Sequence, residues 1–185
     1  MAQEEGLSIE TIRSAIEGAI EYLTQHPDEA SYTDSVAVAT VQKGGLHCVV
    51  TGPDGATVAT DMPSSVGGAA SAPSAGWLFR AAAASCTATL IGMRAAQLGI
   101  ELTELEVSVD SQSDDRGLLG MDESVPAGPL SIRVRVRLAA TGAEAGQLRE
   151  LAEWGEAHCP VCDAAGRAVP ITLEVDTGYR RTGAT

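Results

Sequence analysis

One segment of the chain is apolar on most of its sides and strongly favours a helix. Residues 77–94 read Trp-Leu-Phe-Arg-Ala-Ala-Ala-Ala-Ser-Cys-Thr-Ala-Thr-Leu-Ile-Gly-Met-Arg, a composition with high helical propensity. A helix of this kind has to be covered by other elements, so we expect it in the core. Ala82 and Thr89 share the face of Cys86, so a neighbouring backbone can approach that thiol closely. Cys86 is then either a small buried apolar side chain or a thiol placed for chemistry.

A second cysteine site follows a predicted helix near the end of the chain. The stretch from Gly142 to Ala157 carries apolar residues at helical spacing, and Pro160 interrupts or restarts the helix. Cys159 and Cys162 form a Cys-x-x-Cys pair, which fits a redox pair, half of a zinc site or two structural cysteines. A zinc site requires two more ligands, and the sequence contains no second Cys-x-x-Cys. We therefore expect no bound metal.

The N-terminal part predicts one helix followed by a three-stranded meander. Ser8 is placed to cap a helix that ends near His26, with Leu7 and Ile12 as a hydrophobic staple. This helix is either a packing helix or an added docking or dimerisation element. Strand-like runs follow at residues 36–41, 46–51 and 56–60, and residues 62–73 indicate a flexible Gly-, Ser- and Pro-rich connection.

Two longer strands are predicted beyond the cysteine helix. Apolar and polar residues alternate over residues 103–110 and again over residues 132–138, with acidic side chains on the first and arginines on the second. We expect the two to pair antiparallel with cross-strand ion pairs. The loop over residues 111–128 is long enough to form a lid and contains Arg116. The order of elements predicts an α+β domain with two meanders and two core helices.

Composition limits the classes of partner. The chain has 185 residues and a net charge of -13, which opposes binding to nucleic acid. It contains no run of 18 apolar residues and starts with an acidic segment, so we expect no membrane partner, no targeting peptide and a cytoplasmic location with free thiols.

The segment from Trp77 to Glu106 and the Cys159-Pro160 motif together resemble the superfamily of osmotically inducible protein C (OsmC) and organic hydroperoxide resistance (Ohr) proteins. The resemblance covers about residues 36–177, with residues 1–35 as a helical extension and residues 178–185 as a tail. It implies an OsmC-like fold: an N-terminal meander, a central cysteine helix, a C-terminal sheet with a second helix, and a final strand over residues 169–175. It also implies an intertwined homodimer, in which each site takes residues from both chains.

The activity that the resemblance implies is a cofactor-free thiol peroxidase for organic hydroperoxides. Cys86 would attack the peroxide, Cys159 would resolve the sulfenic acid as a disulfide, and a small dithiol or a lipoylated protein would reduce that disulfide. Cys162 is a candidate second resolving thiol, and Arg116 a candidate activating or lid residue. Trp77 and Trp154 are candidates for an apolar substrate pocket, with packing as the alternative.

The chain departs from the peroxidases of this superfamily at the groups that ionise the attacking thiol. Such enzymes carry a glutamate ten residues before the cysteine, where this chain has Gly76, and an arginine in the N-terminal strands, where it has only Lys43. The alternative function is therefore a non-catalytic OsmC-like module for redox sensing or small-molecule binding. The reactivity of Cys86 distinguishes the two, because a catalyst needs an ionised and accessible thiol.

Overall fold

The computed structural model describes residues 8–177 and contains five helices and five strands within that range. The helices are α1 (Ile9–Gln25), α2 (Ala75–Leu98), α3 (Asp115–Leu118), α4 (Ala145–Ala157) and α5 (Pro160–Gly166). The strands are β1 (Val38–Val41), β2 (Cys48–Thr51), β3 (Thr57–Thr60), β4 (Leu102–Gln112) and β5 (Ser131–Ala140). No helix within residues 8–177 is long and apolar enough to cross a membrane.

The cysteine helix α2 is the centre of the fold, as its apolar composition predicts. Ser74 caps its first turn by accepting a hydrogen bond from the Trp77 N–H, and Gly99 ends it in the left-handed conformation. The core lies where α2 meets α4 and the sheet of β4 and β5. Ile91 and Ala95 of α2 and Leu151 of α4 form its buried centre. This arrangement fixes α2 on one side and leaves its other side to face α5.

The antiparallel pairing of β4 with β5 is confirmed. Glu106 stands opposite Arg137, and Asp110 stands opposite Arg133. The Arg137 guanidinium binds the carboxylates of Glu104 and Glu106, while Asp110 pairs with Arg133 and, at 2.7 Å, with Arg135. These side chains are exposed, so each pair contributes at most about 1 kcal/mol. The arginines are used in cross-strand pairing, as the charge pattern predicts.

The N-terminal meander is also confirmed, with the strand order β1-β2-β3. Helix α1 begins where the sequence predicts, because the Ser8 hydroxyl accepts a hydrogen bond from the Thr11 N–H. The predicted staple partner Leu7 lies outside the described residues. Helix α1 packs against α2, and the Arg13 guanidinium donates to the Ala96 carbonyl near the α2 C-terminus at 2.9 Å.

The connection between β3 and α2 is organised around one buried carboxylate. Asp61 is 2% exposed and accepts hydrogen bonds from the N–H groups of Met62, Ala69 and Ser71 and from the Ser71 hydroxyl. The Ser71 hydroxyl gives its proton to Asp61, so the His47 ring nitrogen 3.0 Å away has to donate to the Ser71 oxygen. The connection over residues 62–73, whose composition indicates flexibility, is therefore held in place by hydrogen bonds to Asp61.

The final strand expected over residues 169–175 is absent. These residues form neither a helix nor a strand and join neither sheet, so the second sheet has two strands where a meander was expected. Ile171, Leu173 and Val175 are 94%, 83% and 72% exposed. An isolated extended segment cannot form strand hydrogen bonds without a neighbouring strand. The alternation of apolar residues is present, but the described chain supplies no partner for it.

Candidate thiol site

Two separate parts of the chain bring Cys86 and Cys159 together. Cys86 lies in the middle of α2, on the side that faces the junction of α4 and α5. Cys159 occupies that junction as the N-cap residue of α5, because Pro160 cannot continue α4 but suits the first position of a new helix. The two thiols lie close enough for each to change the pKa of the other, and the Val161 N–H also interacts with Cys86. Thiols from two distant parts of the sequence are therefore neighbours in the fold.

A third thiol and a hydroxyl complete the cluster. The Cys162 N–H donates to the Cys159 sulfur at 3.4 Å, and the Cys162 sulfur lies 3.7 Å from the Thr87 hydroxyl. Thr87 is fully buried. All four cysteines of the described chain are free thiols, and Cys48 lies apart from this cluster on β2. Thr87 is missing from the candidates chosen by sequence, although a polar side chain next to Cys86 in an apolar helix was an available signal.

The three thiols differ in how exposed they are to solvent. Cys86 is half-buried, whereas Cys159 is 0% exposed and lies between Cys86 and Cys162. An external molecule can thus reach Cys86 before it reaches Cys159. Cys162 is half-buried on the far side.

The hydrogen bonds distribute negative charge unevenly across the cluster. Burial raises the pKa of the Cys86 thiol, and the hydrogen bond and charge of Cys159 raise it further against an opposing contribution from Val161. Burial also raises the pKa of Cys159, but hydrogen bonds from the Cys162 N–H, from Thr87 and from the neighbouring thiols outweigh it and leave that pKa below its ordinary value. The pair accordingly holds its charge preferentially on Cys159, which receives more donors.

Cys162 is the weakest acid of the three. Burial raises its pKa to about 11, the Thr87 hydroxyl opposes this, and Cys159 and the Glu156 carboxylate add to the increase. Thr87 has one hydroxyl proton, which it can donate to only one sulfur at a time. At neutral pH Cys162 is therefore a thiol beside a more acidic Cys159.

The remaining candidates stand apart from the thiols in the single chain. Arg116 lies in α3, is exposed and forms an ion pair with Asp114 at 2.6 Å. Trp77, at the start of α2, lines a cleft with residues of β4. Trp154 stacks on His158 with ring centroids 4.0 Å apart, and the Arg94 guanidinium lies 5.0 Å from the Trp154 ring centroid.

A cavity of about 320 Å³ opens beside Cys162. It lies between α2, β5 and α5, and its lining is mostly apolar. The lining includes Phe79, Leu130, Ile132, Val134, Val161 and Cys162. The exposed Glu156 also borders it. This cavity has the size and wall chemistry of a small-molecule site.

Metal binding finds no support in the arrangement of ligands. Within residues 8–177, no group of three or more histidine, cysteine, aspartate or glutamate side chains could hold a metal ion.

Comparison with known proteins defines the class. A sequence profile of the family described as OsmC-like protein matches residues 68–174, so the chain belongs to the OsmC-like family. No curated protein matches the chain.

Solved structures support the same fold. An organic hydroperoxide resistance protein OsmC from Legionella pneumophila is 21% identical with a TM-score of 0.53, over 72% of this chain and 90% of that chain. An OsmC-like protein from Mycoplasma pneumoniae is 11% identical with a TM-score of 0.62, over 74% of this chain and 89% of that chain. An OsmC-like protein of unknown function from Vibrio cholerae is 11% identical with a TM-score of 0.60, over 72% and 94% of the two chains. At these identities the similarity concerns the fold.

Proposed function

We propose that this protein is a thiol peroxidase that reduces organic hydroperoxides. The proximity of a half-buried Cys86 to a fully buried Cys159 carries the proposal. The Cys86 thiolate attacks the terminal oxygen of the hydroperoxide, the O–O bond breaks, and an alcohol leaves with a proton. Cys159 then attacks the Cys86 sulfenic acid, a disulfide forms and water leaves. A small dithiol or a lipoylated protein is the proposed source of the two electrons that restore both thiols.

The assignment of attack to Cys86 rests on access. Cys159 holds the charge more readily, but its sulfur is enclosed and a bulky hydroperoxide cannot approach it in line. Proton transfer from Cys86 to the neighbouring Cys159 supplies the attacking thiolate within the pair. Because the pKa of Cys86 is raised, we expect turnover to increase with pH as Cys86 ionises.

The same raised pKa favours the second candidate function. A non-catalytic OsmC-like module for redox sensing or small-molecule binding would keep the thiol contact without a strongly ionised nucleophile. Gly76 stands where peroxidases of the superfamily carry glutamate, and the first hairpin has Lys43 but no arginine, which supports this alternative. The two functions differ in turnover: a sensor is oxidised once, whereas a peroxidase consumes many equivalents of peroxide.

The deciding experiment measures consumption of cumene hydroperoxide and of hydrogen peroxide with dithiothreitol as reductant. We expect multiple turnovers with cumene hydroperoxide, loss of activity in Cys86→Ser, and a strong decrease in Cys159→Ser. Cys48→Ser is the control because this thiol lies on the separate N-terminal sheet. Single oxidation without turnover in the native protein would overturn the peroxidase assignment in favour of the sensor.

A second copy of the chain is the proposed partner. The segment with Ile171, Leu173 and Val175 and the sheet with Val38 and Val41 all expose large apolar side chains, which supports burial against another subunit. In an intertwined homodimer, Arg116 acts across the interface as an activating or lid residue, and Trp77 and Trp154 contribute to an apolar pocket. The free thiols favour a cytoplasmic location.

A further inference from the structure

We propose that Cys162 is the thiol through which this site is reduced: the disulfide first formed between Cys86 and Cys159 moves to Cys159 and Cys162, where a small dithiol in the apolar cavity reaches it. This inference rests on the proposed peroxidase cycle for its physiological meaning. The transfer of the disulfide itself is a property of the three thiols and can be tested with any thiol oxidant.

The order of the three sulfurs supports the transfer. Cys159 lies next to Cys86 on α2 and Cys162 on α5, and its sulfur accepts a hydrogen bond from the Cys162 N–H at 3.4 Å. Residues three apart at the start of a helix share one face, and the side chains of Cys-x-x-Cys in this position can close a disulfide. Cys159 can therefore exchange one sulfur partner for the other without a rearrangement of the backbone between α2 and α5.

The cavity gives the transferred disulfide a route to the outside. Cys162 lines this cavity of about 320 Å³, whereas Cys159 is 0% exposed. A reductant has to place its sulfur in line with one of the two disulfide sulfurs. Phe79, Ile132 and Val134 make most of that approach apolar. The geometry selects a compact uncharged dithiol over a large or anionic thiol, since Glu156 borders the same cavity.

The transfer is balanced without an added oxidant or reductant. The Cys162 thiolate attacks the Cys159 sulfur, the bond between the sulfurs of Cys86 and Cys159 breaks, and a bond between Cys159 and Cys162 forms. Cys86 leaves as a thiolate and takes up the proton that Cys162 released. The external dithiol then attacks the Cys162 sulfur, forms a mixed disulfide, closes its own disulfide with its second sulfur and leaves two protein thiols.

The oxidation of Cys159 prepares Cys162 for this step. In the reduced site, burial and the hydrogen bond and charge of Cys159 raise the pKa of Cys162. A disulfide at Cys159 carries no charge and no longer competes for the Thr87 proton, so Cys162 ionises more readily and Thr87 can donate to it. Cys162 is therefore a poor nucleophile in the reduced site and becomes a better one once Cys159 has formed its disulfide with Cys86.

Disulfide mapping on the full chain tests the transfer without any mutation. The protein is treated with one equivalent of diamide, quenched with acid at increasing times, blocked with N-ethylmaleimide and digested with trypsin. A bond from Cys86 to Cys159 joins two peptides, residues 81–94 and 150–167. A bond from Cys159 to Cys162 instead leaves residues 150–167 as one internally closed peptide. We expect the closed peptide to replace the joined pair with time, and faster as the pH rises.

Reduction kinetics test the route through the cavity. We expect Cys162→Ser to slow the reduction of the diamide-oxidised protein by dithiothreitol by at least about tenfold, because the buried Cys159 sulfur can no longer pass the disulfide on. Ala165→Leu fills part of the cavity and should slow the same reduction several-fold, while leaving the mapped disulfide unchanged. Ala164→Leu, on the same helix but outside the cavity lining, and Cys48→Ser are the controls.

The outcomes separate this inference from the proposed function. A disulfide that stays between Cys86 and Cys159 at all times, with reduction unaffected by Cys162→Ser, overturns the transfer even if peroxide is consumed. Transfer after diamide together with no consumption of cumene hydroperoxide overturns the peroxidase and leaves the transfer standing. Transfer together with slow reduction in both Cys162→Ser and Ala165→Leu supports the full proposal.

Discussion

The Thr87 hydroxyl lowers the pKa of both Cys159 and Cys162. Its buried hydroxyl can donate to Cys159 or to Cys162, and no water competes for a fully buried side chain. A hydrogen bond to a thiolate is worth more than one to a neutral thiol. Thr87, the residue directly after Cys86 in the sequence, therefore helps to set the pKa of the neighbouring thiols.

Replacing Thr87 with valine is expected to raise the pKa of Cys159. Valine keeps the shape of the side chain but removes the donor, so the first thiol to ionise does so at higher pH. Ultraviolet thiolate absorbance against pH, in a Cys48→Ser background, measures this step. Thr87→Ser keeps the hydroxyl and is the matched control. An identical titration curve for Thr87→Val would contradict the role given to the hydroxyl.

Asp61 is expected to be a strong stabiliser of the fold at neutral pH. The backbone and hydroxyl of Ser71 and the N–H groups of Met62 and Ala69 hold its pKa at about 2, below its ordinary value of 3.8, although burial opposes this. Asp61→Asn places an amide N–H against these donors and should lower the Tm by at least several degrees, as measured by circular dichroism. Asp54→Asn, in the exposed turn before β3, is the control.

The pH dependence of Asp61 follows from the direction of its shift. Because the folded pKa is depressed, the stabilisation is complete above 3.8 and is lost as the pH falls to about 2. The difference in Tm between the native protein and Asp61→Asn should therefore narrow across that window. A constant difference down to the lowest pH would show that the carboxylate charge is not the cause.

At the residue scale, sequence reasoning found the thiols but not their neighbours. Cys86, Cys159 and Cys162 stand out because cysteine chemistry and Cys-x-x-Cys spacing are visible in one dimension. The contacts of Asp61 with Ser71 and of Thr87 with Cys162 depend on loop conformation and helix packing. No periodicity encodes such contacts, so they became visible only in the folded chain.

At the scale of elements, the closest packing in the core depends on Gly155. A Cβ added at Gly155 of α4 would overlap the Ile91 side chain and crowd the Ile91 backbone of α2. We expect Gly155→Ala to lower the free energy of unfolding by about 1–3 kcal/mol. Gly146→Ala, in the same helix with nothing within 4 Å of the added Cβ, should leave stability unchanged or raise it by up to about 1 kcal/mol. Urea denaturation measures both variants, and equal effects would contradict the close packing.

Helices and strands were predicted correctly where the described residues also contain the element that packs against them or pairs with them. The alternation in β4 and β5 carries complementary charges, so both the strands and their pairing were visible in the sequence. The helical spacing of α1, α2 and α4 likewise gave the helices. The segment over residues 169–175 has an equally good alternation but no neighbouring strand, and the expected strand was wrong. A strand requires a neighbouring strand to share its hydrogen bonds, so an alternation of apolar and polar residues does not by itself predict one.

At the scale of the whole molecule, we expect a dimer that depends on the exposed face of α2. The exposed side chains on this face are small, and they include Ala82, Ser85 and Thr89. Thr89→Arg should convert the dimer into monomer, because a long charged side chain cannot be buried there without a partner. Sedimentation velocity measures the change. Glu153→Arg, on an exposed position of α4, is the control, and an unchanged dimer in Thr89→Arg would place the interface elsewhere.

The segment after α5, which forms neither a helix nor a strand, also affects how the protein is degraded. Arg167 is an exposed basic residue at the start of a stretch with neither helix nor strand, and proteases cut most readily at exposed segments of this kind. Subunits without a partner would lose this segment first, whereas assembled subunits would shield it. Proteolytic turnover would then remove the surplus of unassembled chains and set the amount of protein by how much of it has assembled.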